Sequence, residues 1–168
     1  MKKKISCILP VRGHNLYLEK SIQSILDQTF KDFELIILDH NNKKKIVEIL
    51  NFYKSKDNRI KVIRLNKANL AELLNHGIKI AQGTYIARQD ADDISHPNRF
   101  YRQLKWFNKK KILCGINSYK IDKHGKIIGK INNPVKHNLI LKAMYYKNRR
   151  EDYTARPGNQ YAPLSIMS

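Results

Sequence analysis

Seven consecutive segments alternate between two hydrophobic periods, and that alternation restricts the fold more than any other feature of the chain. Ile5 to Val11 is a continuous apolar run suited to a buried strand, and Leu16 to Gln28 then places Leu18, Ile22, Ile25 and Leu26 at helical spacing. Phe33 to Asp39 is a second apolar run, followed by Ile46, Val47, Leu50 and Tyr53 on one face of Lys43 to Tyr53. Ile60 to Leu65 predicts a third strand. Asn69 to Ala81 predicts a third helix with Leu70, Leu73, Leu74 and Ile78 on one face, and Gly83 breaks the chain before a fourth strand at Thr84 to Arg88. Strands and helices in strict alternation with short connections predict an α/β chain whose mainly parallel sheet is doubly wound, with helices on both faces.

In such sheets ligands bind beyond the carboxyl ends of the strands. The residues at those ends are Arg12 and Gly13, Asp39 and His40, and Asp90 to Asp93. The last group carries three carboxylates in four residues. Clustered carboxylates repel one another and raise their own pKa values unless a cation, basic groups or water offsets the charge. Hard oxygen ligands suit Mg²⁺ or Mn²⁺. An acidic turn capping a helix that begins near Pro97 accounts for the same residues, and both readings stand at this point. Neither a Gly-x-Gly-x-x-Gly nor a P-loop pattern is present, which weakens a dinucleotide-dependent or kinase reading. Ser24, Ser95 and Ser118 lie in no nucleophile-elbow pattern.

Past Pro97, Phe100, Leu104 and Phe107 predict a helix, on which Trp106 is expected to be core or sheet-covering; a strand through Ile112 to Ile121 follows. Lys123-His124-Gly125-Lys126 then reads as a hairpin turn into Ile127 to Ile131, and Val135 to Tyr146 as a last helix. From Arg149 the pattern is lost, so residues 1–148 are expected to form one domain and 149–168 an irregular tail. The 168 residues carry a formal net charge of +19, which favours polyanionic partners: nucleic acid, an anionic membrane face or phosphorylated small molecules. Lys-rich solvated faces explain the scattered basic runs equally well. No specific nucleic-acid partner is expected, because no recognition motif is present and aromatic residues are not interleaved with the basic runs. Cys7 and Cys114 sit in apolar runs and form no disulfide framework. No apolar run approaches the roughly 20 residues of a membrane span. The expected location is cytoplasmic, with peripheral contact at the anionic inner face of the cell membrane.

Four segments carry a resemblance. They are Ser6 to Val11; Ser21-Ile22-Gln23-Ser24-Ile25-Leu26-Asp27-Gln28-Thr29-Phe30 into Phe33 to Asp39; Leu74-Asn75-His76-Gly77-Ile78 with Ala81-Gln82-Gly83; and Asp90-Ala91-Asp92-Asp93-Ile94 with Pro97 and Arg99. In this order and at this spacing the chain resembles the inverting family 2 glycosyltransferases, from about Ile5 to His137. The resemblance implies the GT-A fold, here incomplete at the C-terminus. It implies a nucleotide-diphosphate sugar donor bound by Pro10, Val11, Arg12, Asp39, His40, Asp90, Ala91 and Asp92. It also implies Mg²⁺ or Mn²⁺ on Asp92, with Asp90 beside it, and a glycan or lipid-linked acceptor in surface polysaccharide or lipopolysaccharide biosynthesis. For Arg99 a structural role at the helix start, pairing with the acidic cluster, ranks above direct phosphate contact.

Departures from the family pattern carry their own expectations. His40 stands where a second acid is usual, which bears on base recognition. Arg12-Gly13-His14-Asn15 replaces an aromatic-Asn pair, and Asn69 stands where Gly is common, as a residue that tolerates positive φ. An inverting transferase needs a general base for the acceptor hydroxyl. Glu151-Asp152-Tyr153 looks like the family's base motif, with Asp152 as the base, but arrives early. Either Asp152 is the base of a shortened domain, or the family sequence stops near Asn148 and the tail is unrelated, leaving transfer impaired. A non-catalytic fragment or a polyanion-binding protein is the alternative function.

Overall fold

The computed structural model describes residues 4–13, 16–40, 43–66, 68–107, 114–122, 124–134, 138–139 and 162–165. Strands β1 (Ile5–Val11), β2 (Phe33–Asp39), β3 (Ile60–Arg64) and β4 (Tyr85–Arg88) form one parallel sheet in the order β3-β2-β1-β4. Helices α1 (Leu18–Leu26), α2 (Lys44–Lys56) and α3 (Leu70–Ile80) make the crossovers, and α4 (Arg99–Trp106) follows β4. β1 and β2 are buried along their whole length, as their mainly apolar sequences require of central strands.

Side chains alternate between the two faces of the sheet. Ile5, Cys7, Leu9 and Val11 pack with Leu18, Ile22 and Ile25 of α1, Ile46 and Leu50 of α2 and Phe100 of α4. Ile8 points the other way and packs with Ile36, Leu38 and Leu73, under α3. Burying one such side chain stabilises the fold by about 1.5–3 kcal/mol, so the two clusters fix which face each helix covers. Gly83 seats the chain against β1: a Cβ there would lie 2.4 Å from the Ser6 backbone nitrogen and 2.6 Å from the Ile5 carbonyl carbon.

The strand order sets the place of a ligand. The chain steps from β1 to β2 to β3 in one direction, and β4 returns to the opposite side of β1. The order reverses between β1 and β4, which opens a crevice at their carboxyl ends. Val11 pairs with Asp39, Asp39 with Arg64, and Ile8 with Arg88, so these ends lie side by side.

A second sheet has the order β5-β8-β6-β7, built from β5 (Ile94–Ser95), β6 (Ser118–Ile121), β7 (Ile127–Ile131) and β8 (Ala162–Ser165). The hairpin expected at 123–126 is present, with Gly125 at φ 87 and β6 antiparallel to β7. Four differences from the sequence expectations follow. The strand expected through Ile112 to Ile121 is confined, among the described residues, to Ser118–Ile121. Asn69 does not adopt positive φ; at φ −75 it is the N-cap of α3, accepting from the Glu72 backbone N–H while the Glu72 side chain accepts from its own. Trp106 is not core, being 59% exposed, whereas Phe100 is 1% exposed. Within the tail expected to be irregular, 162–165 form a strand parallel to β5 and antiparallel to β6. Pro163 pairs with Lys120 of β6 and has no residue of β5 opposite. The helix expected at Val135 to Tyr146 lies, apart from 138–139, outside the described residues.

Candidate functional site

Three chain segments meet at the crevice. Pro10 and Val11 are buried at the end of β1, and Arg12 is exposed just beyond them. Gly13 turns the chain away at φ 78, a conformation that L side chains avoid. Asp39 ends β2 and is fully buried; Arg64 Nε lies 3.8 Å from its Oδ2, and the Arg64 guanidinium donates to Asn51 Oδ1 at 2.9 Å. His40 follows, its N–H donating to the Val11 carbonyl at 3.2 Å, and its buried Nδ1 has no hydrogen-bond partner among the described residues. Lys43, Lys44 and Lys45 head α2 at this edge, all exposed. Cations at the positive end of a helix cost about 0.3–1 kcal/mol each, an arrangement that attracts polyphosphate.

On the other side of β1, Asp90 to Asp93 form a turn closed by the Asp93 N–H donating to the Asp90 carbonyl at 3.1 Å. β1 separates this turn from Asp39, so the two groups stand about 10 Å apart, two strand spacings. Asp90 is paired with Arg88, whose Nη2 and Nε lie 2.9 and 3.0 Å from Oδ1. Asp92 is half-buried. Burial raises its carboxyl pKa, and the Asp90 charge adds to the rise against an opposing hydrogen bond from its own backbone N–H.

Among the described residues no group of three or more His, Cys, Asp or Glu side chains converges on a metal position. Two carboxylates on one turn still fit Mg²⁺ or Mn²⁺, since such ions are commonly held by one or two carboxylates, with substrate phosphates and water completing the shell.

Sequence reasoning missed the support beneath this turn. Gln89 is 1% exposed; its amide donates to Ser21 Oγ at 3.1 Å and to the Asp93 carbonyl at 2.7 Å. Its Oε1 accepts from Ser95 Oγ and from Arg99 Nη1, both at 2.7 Å. Arg99 Nη2 donates to the Arg88 carbonyl at 2.6 Å, and Ser21 Oγ to the Asp90 carbonyl at 2.9 Å. Gln28 joins α1 to α4, donating to the His96 carbonyl at 2.7 Å and accepting from the Phe100 N–H at 3.0 Å. Arg99 is thus structural, as expected, but its hydrogen bonds go to Gln89, Ser95, Gln103 and a carbonyl, not to the acidic side chains. The signal in the sequence was Ser21, Ser24 and Gln28 at helical spacing on the face that also carries Ile25.

A cleft of about 620 Å³ runs along the outer edge of β4 from Tyr85 to Asp90, faced by Phe107, Cys114 and Ile116. Asp90 therefore stands between this cleft and the Asp39 side of the crevice. Asp152 lies outside the described residues.

A parallel sheet reversing between β1 and β4, with carboxylates on both sides of the reversal, is the framework of a nucleotide-sugar transferase fold. The chain matches the family described as Glycosyl transferase family 2 over residues 6–162, and it belongs to that family. The match runs past residue 148 and takes in Asp152. The chain is 34% identical over 146 residues to the O-antigen biosynthesis glycosyltransferase WbnJ of Escherichia coli, an alignment covering 86% of this chain and 57% of that protein. Among solved structures, it superposes with TM-score 0.60 on the mannosyltransferase PcManGT of Pyrobaculum calidifontis in complex with GDP-Man and Mn²⁺. That pair is 13% identical, with 73% of this chain and 35% of the other covered. With TarS 1-349 of S. aureus in complex with UDP-GlcNAc the TM-score is 0.56 at 19% identity, covering 68% and 39%. These likenesses establish the GT-A type of fold.

Proposed function

We propose that this chain carries the donor-binding part of a metal-dependent, inverting glycosyltransferase that builds surface polysaccharide or lipopolysaccharide. The observation that carries the reading is the pair of carboxylate groups, Asp39 and Asp90–Asp92, flanking β1 where the strand order reverses. Asp39 and His40, with Pro10, Val11 and Arg12, take the nucleoside. Asp39 is buried and acceptor-only when ionised, so it selects N–H or O–H donors; His40 presents an imidazole where an acid is usual in the family. Asp92, with Asp90, holds Mg²⁺ or Mn²⁺, and Ala91 completes the turn against the donor. When bound, the ion offsets charge growing on the departing diphosphate. The PcManGT complex with GDP-Man and Mn²⁺ and the TarS complex with UDP-GlcNAc support this donor chemistry.

The hydrogen-bonded support through Gln89, Ser21 and Arg99 holds the Asp turn in place before the donor arrives, which lowers the reorganisation required at reaction. The cleft beside β4 takes the glycan or lipid-linked acceptor, since it opens on Asp90 from the side away from Asp39. Asp152 is assigned as the general base that removes the acceptor hydroxyl proton. Peripheral contact with anionic lipid brings a lipid-linked acceptor within reach.

Transfer of labelled sugar from a panel of nucleotide sugars, in wild type, Asp92→Asn and Asp152→Asn, tests the reading. Turnover is expected to fall at least about a hundredfold in both variants, while only Asp92→Asn loses nucleotide binding. Equal turnover in wild type and Asp152→Asn removes Asp152 as the base.

A further inference from the structure

α4 has two chemically distinct faces. Arg99 and Phe100 are buried, with Gln103 and Leu104 half-buried behind them, whereas Tyr101, Arg102, Lys105 and Trp106 are exposed. These four occupy positions i, i+1, i+4 and i+5, a single stripe along the helix. Trp106 and Tyr101 are 59% and 50% exposed. Lys105 Nζ sits 4.6 Å from the Tyr101 ring centroid. Aromatic rings with polar tips, flanked by cations on flexible stems, match the chemistry of a membrane–water interface, where rings insert at headgroup depth and ammonium groups stay at the lipid phosphates.

We propose that this outward face of α4 is a membrane-binding surface that seats on anionic lipid. Charge complementarity identifies the occupant. Arg102 and Lys105 lie within the stripe, and the chain carries +19 overall. Anionic lipid attracts such residues at short range. Nucleic acid fits less well, because Lys105 stands over the Tyr101 ring that a base would need for stacking.

The surface is coupled to the site. α4 begins at Arg99, which is bonded to Arg88 and Gln89 immediately before Asp90. Eight helical residues span about 12 Å, so the whole outward face lies within one short helix of Arg99. The proposal deepens the membrane contact of the proposed function and rests on that reading for its purpose, though not for the surface.

Trp106 is the only tryptophan in the chain, so its emission reports this face alone. The test adds vesicles of phosphatidylglycerol and phosphatidylcholine, or of phosphatidylcholine only, to the full chain at low and high salt. A blue shift confined to anionic vesicles and reversed by salt is expected. Arg102→Gln and Lys105→Gln should each weaken vesicle partitioning about fivefold, whereas Lys79→Gln, on α3 across the sheet, should weaken it less than twofold. Sedimentation with vesicles but no shift at Trp106, or equal losses in all three variants, overturns the assignment to α4 and leaves membrane contact to another face. No partitioning at low salt removes membrane contact altogether. A Trp106 response to mixed-sequence RNA with none to vesicles also overturns the proposal. Nucleotide binding measured in buffer, without vesicles, reports separately on the donor site in every variant.

Discussion

Replacing Arg99 with Met keeps most of the buried stem and removes the guanidinium, isolating what its hydrogen bonds contribute. Arg99 is 4% exposed and donates to Gln89 Oε1, Ser95 Oγ, the Arg88 carbonyl and Gln103 Oε1. Its removal leaves the Arg88 carbonyl without that donor, at about 1–3 kcal/mol, and deletes the bonds to Gln89 and Ser95, at about 1 kcal/mol each. Gln103 reaches solvent, and Ser95 still donates to Gln89. Relief of the buried cation's desolvation offsets part of the loss. A net destabilisation of about 2–4 kcal/mol remains, or about 4–16 °C in Tm for a chain of this size. Urea and thermal unfolding of wild type, Arg99→Met and Arg99→Lys measure it. Lys cannot reproduce the planar fork and should also lose more than about 1 kcal/mol. If Arg99→Lys unfolds like wild type yet fails to bind a nucleoside diphosphate, Arg99 reads phosphate and the support role argued for it is wrong.

Gly83→Ala puts a methyl 2.4 Å from a backbone nitrogen of β1, and expression with thermal melting should show loss of folding or a destabilisation above about 3 kcal/mol. Glu34 is buried, which pushes its pKa up, but hydrogen bonds from Lys61, Ser6 and the Gln82 N–H outweigh this and hold it below the ordinary 4.5. Its folded pKa thus lies below the unfolded one, so its contribution is present above about pH 4.5 and is lost as pH falls through the folded value. Lys61→Met should shift that loss to higher pH in acid unfolding curves, and unchanged curves would contradict the assignment. Arg88→Gln frees Asp90 from a largely exposed ion pair worth at most about 1 kcal/mol. Mn²⁺ binding, followed by electron paramagnetic resonance, should therefore tighten up to about fivefold; weaker binding would mean that Arg88 assists the ion.

β1 and β2 were legible to the residue because mainly apolar seven-residue runs, interrupted only by Ser6 in one and by Glu34 and the terminal Asp39 in the other, admit few other placements. The positions of Asp39 and Asp90–Asp93 followed, since parallel strands deliver their carboxyl ends to one edge. Gln89 was not legible: a polar residue at a strand end reads as solvated, and only the approach of Ser21, Ser95 and Arg99 from α1, β5 and α4 buries it. Trp106 misled for the opposite reason. Apolar character implies burial only when a partner face exists, and α4 turns Phe100 inward while Trp106 points away. Ile94–Ser95 is too short to show any period, and its pairing comes from residues 164 and 165, far along the chain.

The central claim is that Asp92 holds a metal-bound nucleotide donor across the crevice from Asp39. Calorimetric titration of nucleoside diphosphates and nucleotide sugars into wild type and Asp92→Ala, with Mn²⁺ or with EDTA, tests it most directly. The account predicts binding that needs the metal and disappears in the variant. Binding of equal strength in EDTA, or in folded Asp92→Ala, would contradict it.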